Sequence, residues 1–129
     1  MRLRIHHGAV QVGGNCIELA CEGWSLLLDL GLPLDSAPVM PPVAGLTGSD
    51  DSLLGVVLSH PHIDHYGLLP SARADLPVWL GEGARKLLAA ASPSGNASKA
   101  KLNCTPRAAP KAAISVFSSC ASGPSWKRA

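Results

Sequence analysis

The apolar run Leu53-Leu54-Gly55-Val56-Val57-Leu58 empties directly into His60-Pro61-His62-Ile63-Asp64-His65. No other feature restricts this chain so much. Gly55 to Ser59 reads as a buried strand, because the run lacks polar alternation. The strand delivers three imidazoles and a carboxylate within six positions. Pro61 biases His60 toward extended backbone angles. Extended residues i and i+2 point the same way, so His60 and His62 can converge on one metal ion. Asp64 and His65 follow a turn of the chain and can reach a second ion. Neutral imidazole and carboxylate suit Zn²⁺, and also Mn or Fe. Two ions roughly 3.5–4 Å apart can share a hydroxide and clamp both the attacking and the leaving oxygen of a displacement. The bland alternative is a loop of solvated histidines. Four ligating groups at this spacing after an apolar strand rarely arise by chance, which favours the metal reading.

Around this cluster the sequence predicts a mixed α/β order. Leu3 to His7 reads as a short strand, and Val12-Gly13-Gly14-Asn15 is turn chemistry. Cys16 to Cys21 and Trp24 to Leu30 read as two strands joined by a tight turn at Glu22-Gly23. Leu26-Leu27-Leu28 shows no alternation, which predicts cover on both faces. Gly31 to Asp51, with four prolines among small residues, is a long loop of the kind that borders sites. Pro77 to Leu80 is a further strand. Ala84, Leu87, Leu88 and Ala91 fall at helical spacing and predict a helix over 82–91, stopped by Ser92-Pro93.

After Pro93 the grammar changes. Residues 1–92 hold all nine acids and eighteen of the nineteen leucines. Residues 93–129 hold no acid and six of the eleven Lys and Arg. The expected organisation is one folded region over 1–92 and a basic Ala/Ser/Pro/Lys-rich tail over 93–129, weakly structured, with Ile114 to Phe117 its one plausible strand. Six charges over a tail with few aromatics fit a solvated segment better than a nucleic-acid arm. The start of the chain carries no apolar signal region, and no run is long enough to span a membrane. The expectation is a cytoplasmic chain with reduced thiols at its four cysteines. His6 and His7 read as strand or surface residues.

The cluster, with the following Gly67-Leu68-Leu69-Pro70, resembles the His-x-His-x-Asp-His signature of metallo-β-lactamase-fold hydrolases. Gly13-Gly14-Asn15-Cys16-Ile17-Glu18-Leu19 and Leu26-Leu27-Leu28-Asp29-Leu30-Gly31 look like the opening strands of that fold, most similar to its ribonuclease J-like branch. The resemblance covers roughly residues 1–92. It implies the N-terminal portion of an αββα sandwich and metal-dependent hydrolysis, with phosphodiesters, RNA among them, as first substrate class. Thioesters and lactams are the alternatives. It implies that His60 and His62 hold one zinc ion, Asp64 and His65 a second, and that Asp64 orients the attacking water. Asp29 would support the ligands from behind. A second reading of Asp29 is a strand-end residue that caps the turn at Gly31.

The family completes its site with a histidine, a bridging aspartate and a last histidine in its C-terminal half. No histidine follows His65 in this sequence. The expectation is therefore a truncated or out-of-frame product that is inactive alone. The alternative to an enzyme is a non-catalytic fragment with weak or no metal binding. Oligomeric state is not legible.

Overall fold

The computed structural model describes residues 1–90 and Ser118. Apart from Ser118, the tail expected over 93–129, with its strand at Ile114 to Phe117, lies outside the described residues.

Five strands form one mixed sheet in the order β1-β2-β3-β4-β5. They are β1 Arg2–His7, β2 Cys16–Cys21, β3 Trp24–Leu28, β4 Leu53–Val57 and β5 Val78–Trp79. The first two pairings are antiparallel and the last two are parallel. A short helix α1, Ile63–Tyr66, follows β4, and α2, Glu82–Ala90, follows β5. The fold class is α/β, as the sequence predicts.

Glu22 and Gly23 both take positive φ, 48° and 84°. Two consecutive left-handed residues make the turn whose twist matches a tight β-hairpin, and glycine at the second position removes the Cβ penalty there. The predicted strand to Leu30 stops at Leu28. Asp29 takes φ 59°, which breaks the extended run and turns the chain into the long loop.

The core lies on one face of the sheet. Leu27, Val56 and Leu58 meet Leu30, Leu46, Leu68 and Leu69 there. Val43 and Leu46 come from the long loop, so that loop is partly a lid over the core and not wholly a solvated excursion. The expectation that Leu26 to Leu28 are covered on both faces is corrected. Leu27 is fully buried, whereas Leu26 and Leu28 are only half-buried. Cross-strand partners share a face, and Ile5, Ile17, Leu28, Val57 and Trp79 follow one another across all five strands. That row is apolar yet stays partly in water, with Ile5 51% exposed.

Cys16 is a free, buried thiol, whereas Cys21 is disulfide-bonded, which corrects the expectation of four reduced cysteines. Among the described residues no helix is long and apolar enough to cross a membrane.

Candidate metal centre at the strand ends

β3 and β4 are parallel neighbours, so their carboxyl ends lie side by side. Asp29 directly follows β3, and Ser59 and His60 lie just past β4. Ligands of open α/β sheets gather at this end, because the loops there are free to carry chemistry while the strands hold them.

Backbone hydrogen bonds strap three segments together. The amides of Asn15, Leu30 and Leu32 donate to the carbonyls of Asp64, His65 and Ile63 at 3.0, 2.8 and 3.1 Å. Gly31 donates to the Asn15 carbonyl at 3.0 Å. A Cβ on Gly31 would fall onto the Asp64 carbonyl and 2.7 Å from the Asn15 nitrogen. Only glycine lets these backbones approach so closely. His62 precedes α1 with extended angles, φ −100° and ψ 148°, and its carbonyl accepts the His65 amide at 2.9 Å. The sequence predicts Asp64 and His65 after a turn; they lie instead within the single helical turn of α1.

Asp29 is buried to 8% exposure and faces three donors. Its Oδ1 accepts the Ser59 amide at 2.7 Å, and its Oδ2 accepts the Ser59 hydroxyl at 2.8 Å. His65 Nδ1 lies 2.8 Å from the same Oδ2. An ionised carboxylate only accepts, so this nitrogen carries the proton. His65 Nε2 is left as an acceptor, met by the Asn15 side-chain amide at 3.1 Å, with Asp64 Oδ2 at 3.5 Å. Asp29 thus stands behind the cluster, and it also ends β3. Its side-chain bonds go to Ser59 and His65 and not to the turn at Gly31.

The three imidazoles gather. The His60 and His62 ring centroids are 4.7 Å apart, and those of His60 and His65 are 3.7 Å apart. His60 and His62 meet edge to face, their ring planes 78° apart. Asp64 is half-buried beside them and His62 is exposed. Imidazole nitrogens and a carboxylate are the donor types that divalent cations such as zinc accept. As the side chains stand, no three His, Cys, Asp or Glu groups among the described residues form a cage ready for an ion. His6 is engaged elsewhere, 2.9 Å from Glu18 Oε2, in keeping with its reading as a strand residue. Two residues that touch the cluster, Asn15 and Ser59, were not singled out as site residues by sequence reasoning. A hydroxyl just before His60 was the available signal for Ser59.

Cys16 lies in the core close by. Burial, then the charges of Glu18 and Asp29, push its thiol up from about 9 to about 12. The folded value lies above the unfolded one. The contribution to stability is therefore intact below pH 9 and is lost as pH rises toward 12. Iodoacetamide at pH 8 is expected to leave Cys16 unmodified in the folded chain and to label it after denaturation, read by peptide mass mapping. Rapid labelling under native conditions would contradict this burial.

No known family's sequence profile matches the chain. Two curated relatives come from Methanocaldococcus jannaschii. An RNase J-like protein is 34% identical over 68 residues, which is 53% of this chain and 15% of the relative. A probable RNase, MJ4, is 32% identical over 91 residues, 68% of this chain and 21% of the relative. The chain thus spans only 15% and 21% of the length of these relatives. Among solved structures, a protein of unknown function from Enterococcus faecalis V583 superimposes with a TM-score of 0.56 at 16% identity, covering 80% of this chain and 30% of that one. That likeness concerns the fold alone. The sequence similarity is partial, and it points toward a nuclease or hydrolase family.

Proposed function

We propose that this chain carries the metal-binding end of a metal-dependent hydrolase that acts on phosphodiesters, RNA among them. The observation that carries the reading is the pairing of His65 Nδ1 with Asp29 at 2.8 Å, which turns His65 Nε2 toward Asp64. A carboxylate behind a ligating histidine fixes its tautomer and raises its basicity. The reading gives His60 and His62 to one ion, and Asp64 and His65 to a second. Zinc is the first choice, with Mn or Fe as alternatives. Bound cations would supply Lewis acidity at this end of the sheet. The chain's own part is to hold the rings by their far nitrogens and to place the Asp64 carboxylate where it can orient water. The partial likeness to proteins named as RNases supports the substrate class. Thioesters and lactams are the alternative substrates.

One observation favours a second reading, a chain that binds metal weakly and does not turn over: no three donors among the described residues stand as a cage. Zinc titration against a chromophoric chelator tests the metal site. The expected result is weak or substoichiometric binding, abolished by His60→Ala with His62→Ala. No zinc binding by the unmodified chain would overturn the metallohydrolase reading. Hydrolysis of bis-p-nitrophenyl phosphate and of a short RNA, with Zn²⁺ or Mn²⁺, then separates the two readings. Turnover lost in Asp64→Ala selects the enzyme, and binding without turnover selects the fragment.

A further inference from the structure

We infer that Ser59 is a positioning residue: its hydroxyl fixes His60 as the Nδ1–H tautomer and so leaves Nε2 free to accept. Ser59 Oγ lies 2.8 Å from Asp29 Oδ2, 3.0 Å from His60 Nδ1 and 3.1 Å from His65 Nδ1. The hydroxyl has one proton to give. If that proton went to His60, an oxygen lone pair would face a carboxylate oxygen at 2.8 Å with nothing between them. Donation to the carboxylate removes this clash and makes the stronger, charge-assisted bond. Ser59 Oγ is then an acceptor. At 3.0 Å it needs a proton from His60 Nδ1.

The result is a relay in one direction. His60 donates to Ser59, Ser59 donates to Asp29, and His65 donates to Asp29. One buried carboxylate thereby orients two imidazoles, one directly and one through a hydroxyl. Its second oxygen holds Ser59 in place through the backbone amide at 2.7 Å. His60 and His65 come out alike in tautomer, each tied at Nδ1 with Nε2 as the acceptor, which in His65 takes the Asn15 amide at 3.1 Å; their ring centroids are 3.7 Å apart. A histidine side chain in water favours the opposite tautomer, Nε2–H, so the arrangement is imposed by the fold. The consequence for ligation rests on the metal reading above. The tautomer itself does not.

The test is long-range ¹H–¹⁵N correlation NMR of the imidazole nitrogens in the metal-free, full-length chain at pH 8. His60 and His65 are expected to show a protonated Nδ1 and an unprotonated Nε2. In Ser59→Ala, His60 is expected to shift toward Nε2–H while His65, still held by Asp29, keeps its signature. Ser59→Thr, which retains the hydroxyl, is expected to restore His60. Zinc affinity is expected to fall about 10–100-fold in Ser59→Ala and to recover in Ser59→Thr. An Nε2–H signature for His60 in the unmodified chain, or no change on removing the hydroxyl, would overturn the assignment whatever the zinc data. The expected tautomers in a chain that binds no zinc would instead sink the metal reading and leave the proton relay standing.

Discussion

A methyl group at Gly31 is expected to cost the folded chain about 3 kcal/mol. The added carbon would land on the Asp64 carbonyl and against the Asn15 backbone nitrogen. Both are main-chain atoms, so no side chain can swing aside. Relief requires the loop after β3 to part from the turn that carries Asp64 and His65. That movement breaks the bonds from Asn15 to Asp64 and from Leu30 to His65. Gly31→Ala is therefore expected to lower the urea midpoint strongly with little change in the slope. It should weaken zinc binding as well, because the same backbone holds the cluster. A destabilisation below roughly half a kcal/mol, the ordinary surface range, would mean the three segments are not packed as described.

The second large effect is expected at Asp29. Asp29→Ala removes the acceptors of the Ser59 amide, the Ser59 hydroxyl and His65 Nδ1 together. Loss of a buried hydrogen-bond partner costs roughly 1–3 kcal/mol. Loss of the carboxylate behind a ligand costs about 10–100-fold in metal affinity. Asp29→Asn separates the two. Asparagine tolerates the left-handed backbone at φ 59° and keeps an acceptor for the Ser59 amide. It lacks the second carboxylate oxygen that His65 and the Ser59 hydroxyl share. Denaturation and zinc titration of both variants are expected to show Asn sparing most of the stability but not the affinity. Equal affinity in Asp29→Asn and the unmodified chain would reduce Asp29 to a strand-end cap.

Much of this arrangement was legible in the residues. The strands, the Glu22-Gly23 hairpin and the helix over 82–90 all follow from local rules of period and turn. What was not legible depends on contacts across the chain. Asn15 meets His65 over a separation of 50 residues, and Ser59 meets Asp29 over 30. Proline spacing and apolar period carry no trace of such meetings. The end of β3 was misplaced because apolar Leu30 continues the pattern, while the break is made by the backbone of Asp29. Helix α1, four residues long, is too short to show a period. The burial of Leu26 and Leu28 was overestimated for a related reason. An unbroken apolar run looks the same whether one face is covered or two.

Leu26, Leu27 and Leu28 are identical in composition, and the sheet makes them unequal in tolerance. Leu27 sits fully inside the core, where truncation to alanine opens a cavity and a polar atom would find no partner. Its two neighbours lie half-buried on the other face, Leu28 in the row that crosses all five strands and Leu26 beside Leu19. A lysine or threonine there keeps contact with water through its polar end and gives up only part of a leucine's burial. One strand thus presents two mutational climates at alternate positions. Random substitution along Trp24–Leu28 would be purged at every second residue and admitted at those between, a period-two pattern that the sequence itself does not display.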